Sequence, residues 1–395
     1  MRRNVVIGTT FLAVFAALGV GQAVLGRAAA AQAKDMVQAP RFEVDPMWPR
    51  PLPHHWVLGS AIGVSVDAQD HVWIIHRGAA TLAAKEQYAS WNPPGAECCT
   101  AAPPVLEFDQ EGNLVHAWGG PGPGYEWPES NHGITVDGKG IVWIGGNGRD
   151  DGQILKFTRE GKFVAEFGFQ YPNGGSNDLW AFRQVAKIFV DEKSNEAYIS
   201  DGYGNKRVAV IDADSGKIKR YWGAYGHKPD DTPLGPYNPS APLAQQFRNP
   251  VHCAELSNDG YVYVCDRPND RIQVFTKDGT FVKEQIVAKN TLGDGSVWDI
   301  TFSKDPAQKY LYLADGANEK IYVIDRQSLE TLTSFGDGGR QPGQFFAVHS
   351  IATDSKGNIY TTETYEGKRL QKFVYKGMAS VTRENQGVVW PRSGH

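Results

Sequence analysis

From Ile62 onward the chain alternates short apolar runs with polar turns, and the alternation has the two-residue period of a half-buried strand. The clearest copy is Asn131-His-Gly-Ile-Thr-Val-Asp-Gly-Lys-Gly-Ile-Val-Trp-Ile-Gly-Gly146, two such runs joined by an Asp/Gly turn, which is the signature of a β-hairpin. It continues through Gln153-Ile-Leu-Lys-Phe-Thr158, a Glu160-Gly161 turn and Phe163-Val-Ala-Glu-Phe-Gly168, giving four short strands. Four strands per repeat is the sequence form of a propeller blade.

The same unit recurs at 62–118, 185–223, 251–285, 297–336 and 348–374. The predicted fold is therefore all-β, a six-bladed β-propeller of four-stranded blades. The first copy is interrupted by an insertion from about Gly78 to Pro104, long enough to be a functional loop such as a lid. The last copy shows no fourth strand after Leu370-Gln-Lys-Phe-Val374. An open last blade would leave an unpaired edge. The extended run Arg41-Phe-Glu-Val44, which has no hairpin partner near it, is expected to supply the missing outer strand.

The N-terminus has a different pattern. Arg2 and Arg3 precede an apolar segment from about Val5 to Val20 and the small-residue site Ala31-Gln-Ala33, which reads as a signal peptide and implies a secreted or periplasmic protein. The expected organisation is a signal peptide at 1–33, an N-terminal segment with the closing strand at 34–61, the propeller at 62–376 and a tail at 377–395. Removal of 1–33 takes away three arginines and no acid, moving the net charge from -4 to -7. No basic stripe suggests nucleic acid, and no later segment is long and apolar enough to span a membrane. The expected state is a monomer.

Four cysteines are too few for a disulfide framework in a chain this long. Cys253 and Cys265 flank the Asn258-Asp-Gly260 turn symmetrically, so in a regular hairpin they face each other, as a disulfide or as two buried thiols. Cys98 and Cys99 are adjacent in the insertion, where a vicinal disulfide, free thiols and a metal contact all remain open.

Superposing the repeats on their first strands puts Ile62, His132, Ala186, His252, Trp298 and His349 at one position. First strands line the channel of a propeller, so histidines in blades two, four and six aim at one axial point. Any one alone reads as a buried channel histidine. Three in strict alternation read as a ligand set, and three histidines with a fourth position open suit a catalytic zinc. The second strands end at the same mouth, in His76-Arg77-Gly78, Ser200-Asp-Gly-Tyr203 and Cys265-Asp-Arg267. An arginine there offers a fork for a carboxylate, and a phenol beside a metal can serve as a base.

Six NHL-type blades, the Gln-Phe pairs before two of the histidines (Gln246-Phe247, Gln344-Phe345) and the motifs Ile75-His-Arg-Gly78, Ser200-Asp-Gly-Tyr203, Asp266-Arg267 and Arg271-Ile-Gln273 resemble the lyase domain of the peptidylglycine α-amidating enzymes. The resemblance covers nearly all of the chain after the leader. It implies a zinc ion on His132, His252 and His349, Tyr203 as base, Arg77 as catalytic and substrate arginine and Arg267 as a second substrate arginine. The implied reaction splits a peptidyl-α-hydroxyglycine into an amide and glyoxylate, with zinc polarising the carbinol oxygen. The expected substrate is a small molecule or peptide bearing a carboxylate. Ser350 stands where the family has an aspartate that helps bind a structural calcium, so calcium stays open. Ala347 replaces a methionine and Gly204 a half-cystine, departures around the pocket that bear on the peptide substrate more than on the metal. Two other readings stand beside this one. The first is a non-catalytic NHL propeller that binds a protein or ligand. The second is a lactonase-type metal hydrolase, whose calcium would call for oxygen ligands in place of imidazoles.

Overall fold

The computed structural model describes residues 35–391; the expected signal peptide lies outside the described residues. Six four-stranded antiparallel sheets form the blades of a ring. The innermost strands are Ala61–Val66, Asn131–Val136, Val185–Asp191, Val251–Leu256, Asp299–Phe302 and Val348–Thr353. Each lies beside the innermost strand of the next blade, so together they wall the central channel.

The Asp that opens the first turn of blades one, two and six has a physical role. Asp137 Oδ1 accepts the amides of Lys139 and Ile141 at 3.0 and 2.9 Å, while Oδ2 accepts the Trp143 indole at 2.9 Å. Asp67 does the same for Gln69, His71 and Trp73, and Asp354 for Lys356, Asn358 and the Tyr360 hydroxyl. An Asp that hydrogen-bonds its own turn fixes the hairpin register, and with it which side chains face inward. The apolar faces so aligned form six buried clusters, one between each pair of neighbouring blades.

The last blade is closed by the N-terminal strand, which runs from Met36 to Asp45 and pairs antiparallel with Arg369–Thr382. Both strands are longer than the sequence pattern indicated. The partner continues past 376 to Thr382, and residues beyond it stay with the ring: Val389 O accepts the Val44 amide at 2.7 Å, covering the outer edge of the closing strand. Pro40, which has no amide to donate, sits at the irregularity in this pairing, on the outermost strand where it is tolerated. Phe42 is fully buried, with ring centroids 5.4 Å from Tyr312 and 5.3 Å from Phe335 in blade five, so the closing strand also joins the last two blades.

The insertion of blade one is an ordered series of short 3-10 turns. It is anchored by a two-residue parallel pairing of Thr100–Ala101 with Trp56–Val57 and by an ion pair of Glu86 with Lys368 of blade six at 2.6 Å. Cys98–Cys99 and Cys253–Cys265 are both disulfides, the second joining residues directly opposite in the ladder. Phe42→Ala is expected to lower the unfolding free energy by about 3–5 kcal/mol through the cavity it leaves. Denaturant titration checks this, and a loss below about 1 kcal/mol would show that the closing strand is not part of the cooperative core.

Candidate metal centre

Five of the six innermost strands carry the aligned channel position at an irregularity. In blade four, Val251 pairs with Asp266 and Cys253 with Cys265, leaving His252 as the extra residue. His349, Ala186 and Ile62 are extra in the same way, and the pairing of blade two shifts between Asn131 and Ile134, around His132. Such a β-bulge re-aims a side chain that the regular pleat would send elsewhere.

The three imidazoles meet in the channel. Their centroids are 5.1 Å apart for His132 and His252 and 4.8 Å for each pair with His349, and one nitrogen from each lies within 4.8 Å of the others. Their orientation comes from backbone carbonyls of the blades between. His132 Nδ1 donates to Ala186 O at 2.6 Å, His349 Nδ1 to Ile62 O at 2.6 Å, and His252 Nδ1 to Trp298 O. A carbonyl can only accept, so each Nδ1 carries the proton and each Nε2 presents a lone pair. Burial, aided by the neighbouring imidazoles and by Arg77 and Arg267, holds all three neutral: His349 is pushed down to about 3, and His132 and His252 lie well below the ordinary histidine value. Three neutral, fixed imidazoles are the donor set that a zinc ion takes.

Tyr203 points its hydroxyl at this cluster, 3.0 Å from His132 Nε2 and 3.1 Å from His252 Nε2. Arg267 Nη1 donates to the same oxygen at 3.3 Å, and its guanidinium lies 4.5 Å above the Trp298 ring. Arg77 donates to Asn131 O at 3.3 Å and to Asn147 Oδ1 at 2.8 Å. Among the described residues it has no carboxylate partner, so its charge is left for a ligand. The structure thus brings His132, His252, His349, Tyr203 and Arg267 into contact, and holds Arg77, just past the second strand of blade one, against the carbonyl of the residue that precedes His132.

The loops that carry Tyr203 and Arg267 are braced alike. Asp201 and Arg207, both fully buried, pair at 2.7 Å beneath the Tyr203 loop, and Asp201 also accepts from Asn205. Asp266 and Arg271 pair at 2.6 Å beneath Arg267, with Asn269 in the place of Asn205. Gly202 sits so close to the next blade that a Cβ would fall 1.9 Å from Val251 O. Sequence reading missed the bracing pairs, whose signal was the repeat of Asp, Asn and Arg across the two motifs. It also missed Asn147, and named Trp298 and His76 without a role; His76 anchors Arg77. His76 Nδ1 accepts the amides of Gly59 and Gly78 at 3.1 and 3.0 Å, and Nε2 donates to Pro103 O at 2.9 Å.

No protein-family model matches the chain. Mouse NHL repeat-containing protein 3 is 25% identical over 359 residues, covering 86% of this chain and 85% of that protein. Peptidyl-glycine alpha-amidating monooxygenase B of Xenopus laevis is 29% identical over 244 residues, 59% of this chain and 25% of the relative. The mouse monooxygenase is 27% identical over 245 residues, 59% of this chain and 22% of the relative. The chain therefore spans about a quarter of the length of the amidating monooxygenases it matches. Among solved structures, a protein of unknown function from Bacteroides thetaiotaomicron superposes with a TM-score of 0.53 at 13% identity, over 86% of this chain and 77% of that one, a likeness of fold alone. The chain is an NHL-type six-bladed propeller resembling the amidating lyase domain.

In this NHL-type propeller the anchoring of Arg77 depends on a neutral His76. Burial pushes His76 down from 6.5 to about 4, and a protonated Nδ1 would in addition face two amide donors. A histidine with a depressed folded value stabilises the fold above 6.5 and loses that contribution as pH falls from 6.5 to 4, here about 3 kcal/mol. Wild type should therefore lose about that much more unfolding free energy than His76→Asn between pH 7.5 and 4; the channel imidazoles titrate in both proteins and cancel. Equal losses in the two proteins would remove His76 from this role.

Proposed function

We propose that this propeller is a metal-dependent lyase that cleaves the C–N bond of a carboxylate-bearing carbinolamide, releasing an amide and glyoxylate. The observation that carries the reading is the convergence of three imidazole lone pairs and one phenol oxygen beside two arginines. His132, His252 and His349 would hold a zinc ion, whose contribution when bound is Lewis-acid polarisation of an oxygen. The rest of the chemistry belongs to the chain.

Arg77 and Arg267 bind the substrate carboxylate and set the carbinol carbon beneath Tyr203. Tyr203 takes the proton of the carbinol hydroxyl. As the C–O bond becomes a carbonyl, the C–N electron pair leaves with nitrogen, which receives that proton and departs as the amide. Nothing is oxidised or reduced, and no water is consumed. Arg267, stacked on Trp298, donates a hydrogen bond to the Tyr203 oxygen and holds it in place for the proton transfer. Export to an oxidising compartment is part of the same proposal, supported by the two disulfides and the absence of free cysteines.

A second reading, a binding platform, is favoured by the loop from 169 to 184, where Tyr171 and Trp180 are 72% and 84% exposed. A platform has no need of a stoichiometric metal or of turnover. The deciding experiment measures glyoxylate release by metal-loaded protein from a panel of peptidyl and N-acyl α-hydroxyglycines. Tyr203→Phe keeps the ring and loses the ionisable oxygen, so metal content should be unchanged while kcat falls by about 10²-fold or more. No glyoxylate from any member of the panel would reject the lyase and leave the platform.

A further inference from the structure

The residues that follow the aligned channel position are Gly63, Gly133, Lys187, Cys253, Asp299 and Ser350. Three of them meet beneath the imidazoles. Lys187 Nζ, from blade three, lies 2.7 and 2.9 Å from the two carboxylate oxygens of Asp299 in blade five and 2.9 Å from Glu255 Oε1 in blade four. Asp299 Oδ2 also accepts the Ser350 hydroxyl at 2.6 Å and the Ile351 amide at 3.1 Å, both from blade six. A single cavity of about 10 Å³, room for one water at most, is lined both by the three histidines and by Lys187, Asp299 and Ser350. The group therefore plugs the channel directly below the candidate metal centre and links four of the six blades.

We propose that the Lys187 ammonium is the channel's resident second cation, a tethered substitute for a structural divalent ion, so that the protein takes one metal ion and no calcium. Calcium asks for six to eight oxygen donors around a central ion. Here the centre of the oxygen cluster is an ammonium, and the residue after the third histidine is a serine hydroxyl that already donates to Asp299. The charges agree with this reading. Burial alone would lower the lysine value, but Asp299 and Glu255 overcome it and hold Lys187 above the ordinary range, so it stays charged. Burial raises Glu255, and the nearby Lys187 ammonium opposes that rise. The ammonium sits where a divalent ion would have to sit among these oxygens. The proposal is independent of the reaction assigned to the site.

The test is thermal unfolding of the zinc-loaded full chain in calcium-free buffer and in millimolar calcium. Wild type should unfold at the same temperature in both and retain no calcium after dialysis. Lys187→Ala leaves two buried acids without a cation. It should unfold on the order of 5–10 °C lower without calcium and recover at least half of that loss when calcium is added. The triple variant Lys187→Met/Glu255→Gln/Asp299→Asn removes all the charges, and should fold with stability near wild type and no response to calcium. One calcium ion retained per wild-type chain would overturn the proposal, as would a Lys187→Ala protein with unchanged stability. Should Lys187→Ala not fold, the triple variant decides: near-wild-type stability upholds the charge argument, and failure to fold assigns Lys187 to packing and overturns it.

Discussion

The site depends on hydrogen bonds that run from one blade to the next. Each channel histidine donates Nδ1–H to a backbone carbonyl of the following blade, and the three acceptors, Ala186, Trp298 and Ile62, occupy the histidine position in the blades between. The blades without a histidine thus supply the groups that orient the histidines. The third bond, from His349 to Ile62, crosses the seam of the ring between residues 287 positions apart in sequence. Its geometry exists only when the ring is closed. The N-terminal strand and the buried Phe42 that close it are therefore part of the support of the centre, although they lie at the outer rim.

A second layer of constraint acts on the loops. A loop exposed at a propeller mouth has little packing to fix it. Tyr203 and Arg267 are placed by buried acid–arginine pairs, Asp201 with Arg207 and Asp266 with Arg271, whose hydrogen bonds reach several loop carbonyls at once. Breaking one partner of such a pair leaves the other charge buried. The phenol and the guanidinium are held with respect to the imidazoles by these pairs and not by the short loops themselves. Trp298 joins the two layers, since its carbonyl orients His252 while its ring carries Arg267.

Much of this was legible in the sequence because the blade is a two-residue pattern cut by an Asp turn, and that pattern repeats often enough to be aligned. Alignment alone gave the alternation of His132, His252 and His349 and the need for a closing strand. Other features left no such trace. A bulge adds one residue without disturbing the apolar pattern, so its presence at each histidine could not be read. The Nδ1 acceptors are backbone carbonyls, which carry no side-chain signature. Lys187, within the apolar run Val185-Ala-Lys-Ile-Phe-Val190, reads as an outward-facing strand residue until the blades are assembled. The extension of the last blade to Thr382 passes through Lys376 and Gly377, where the pattern lapses, and is sustained by pairing with a segment more than 300 residues away.

The central claim is that three imidazoles, fixed through Nδ1 and neutral, form one metal centre. X-ray absorption at the zinc edge on the purified, zinc-loaded chain tests it most directly. The expected result is one zinc per chain with three nitrogen donors at about 2.0–2.1 Å and no sulfur in the first sphere. Substoichiometric zinc, or a sphere of oxygen or sulfur donors without three imidazoles, would contradict it.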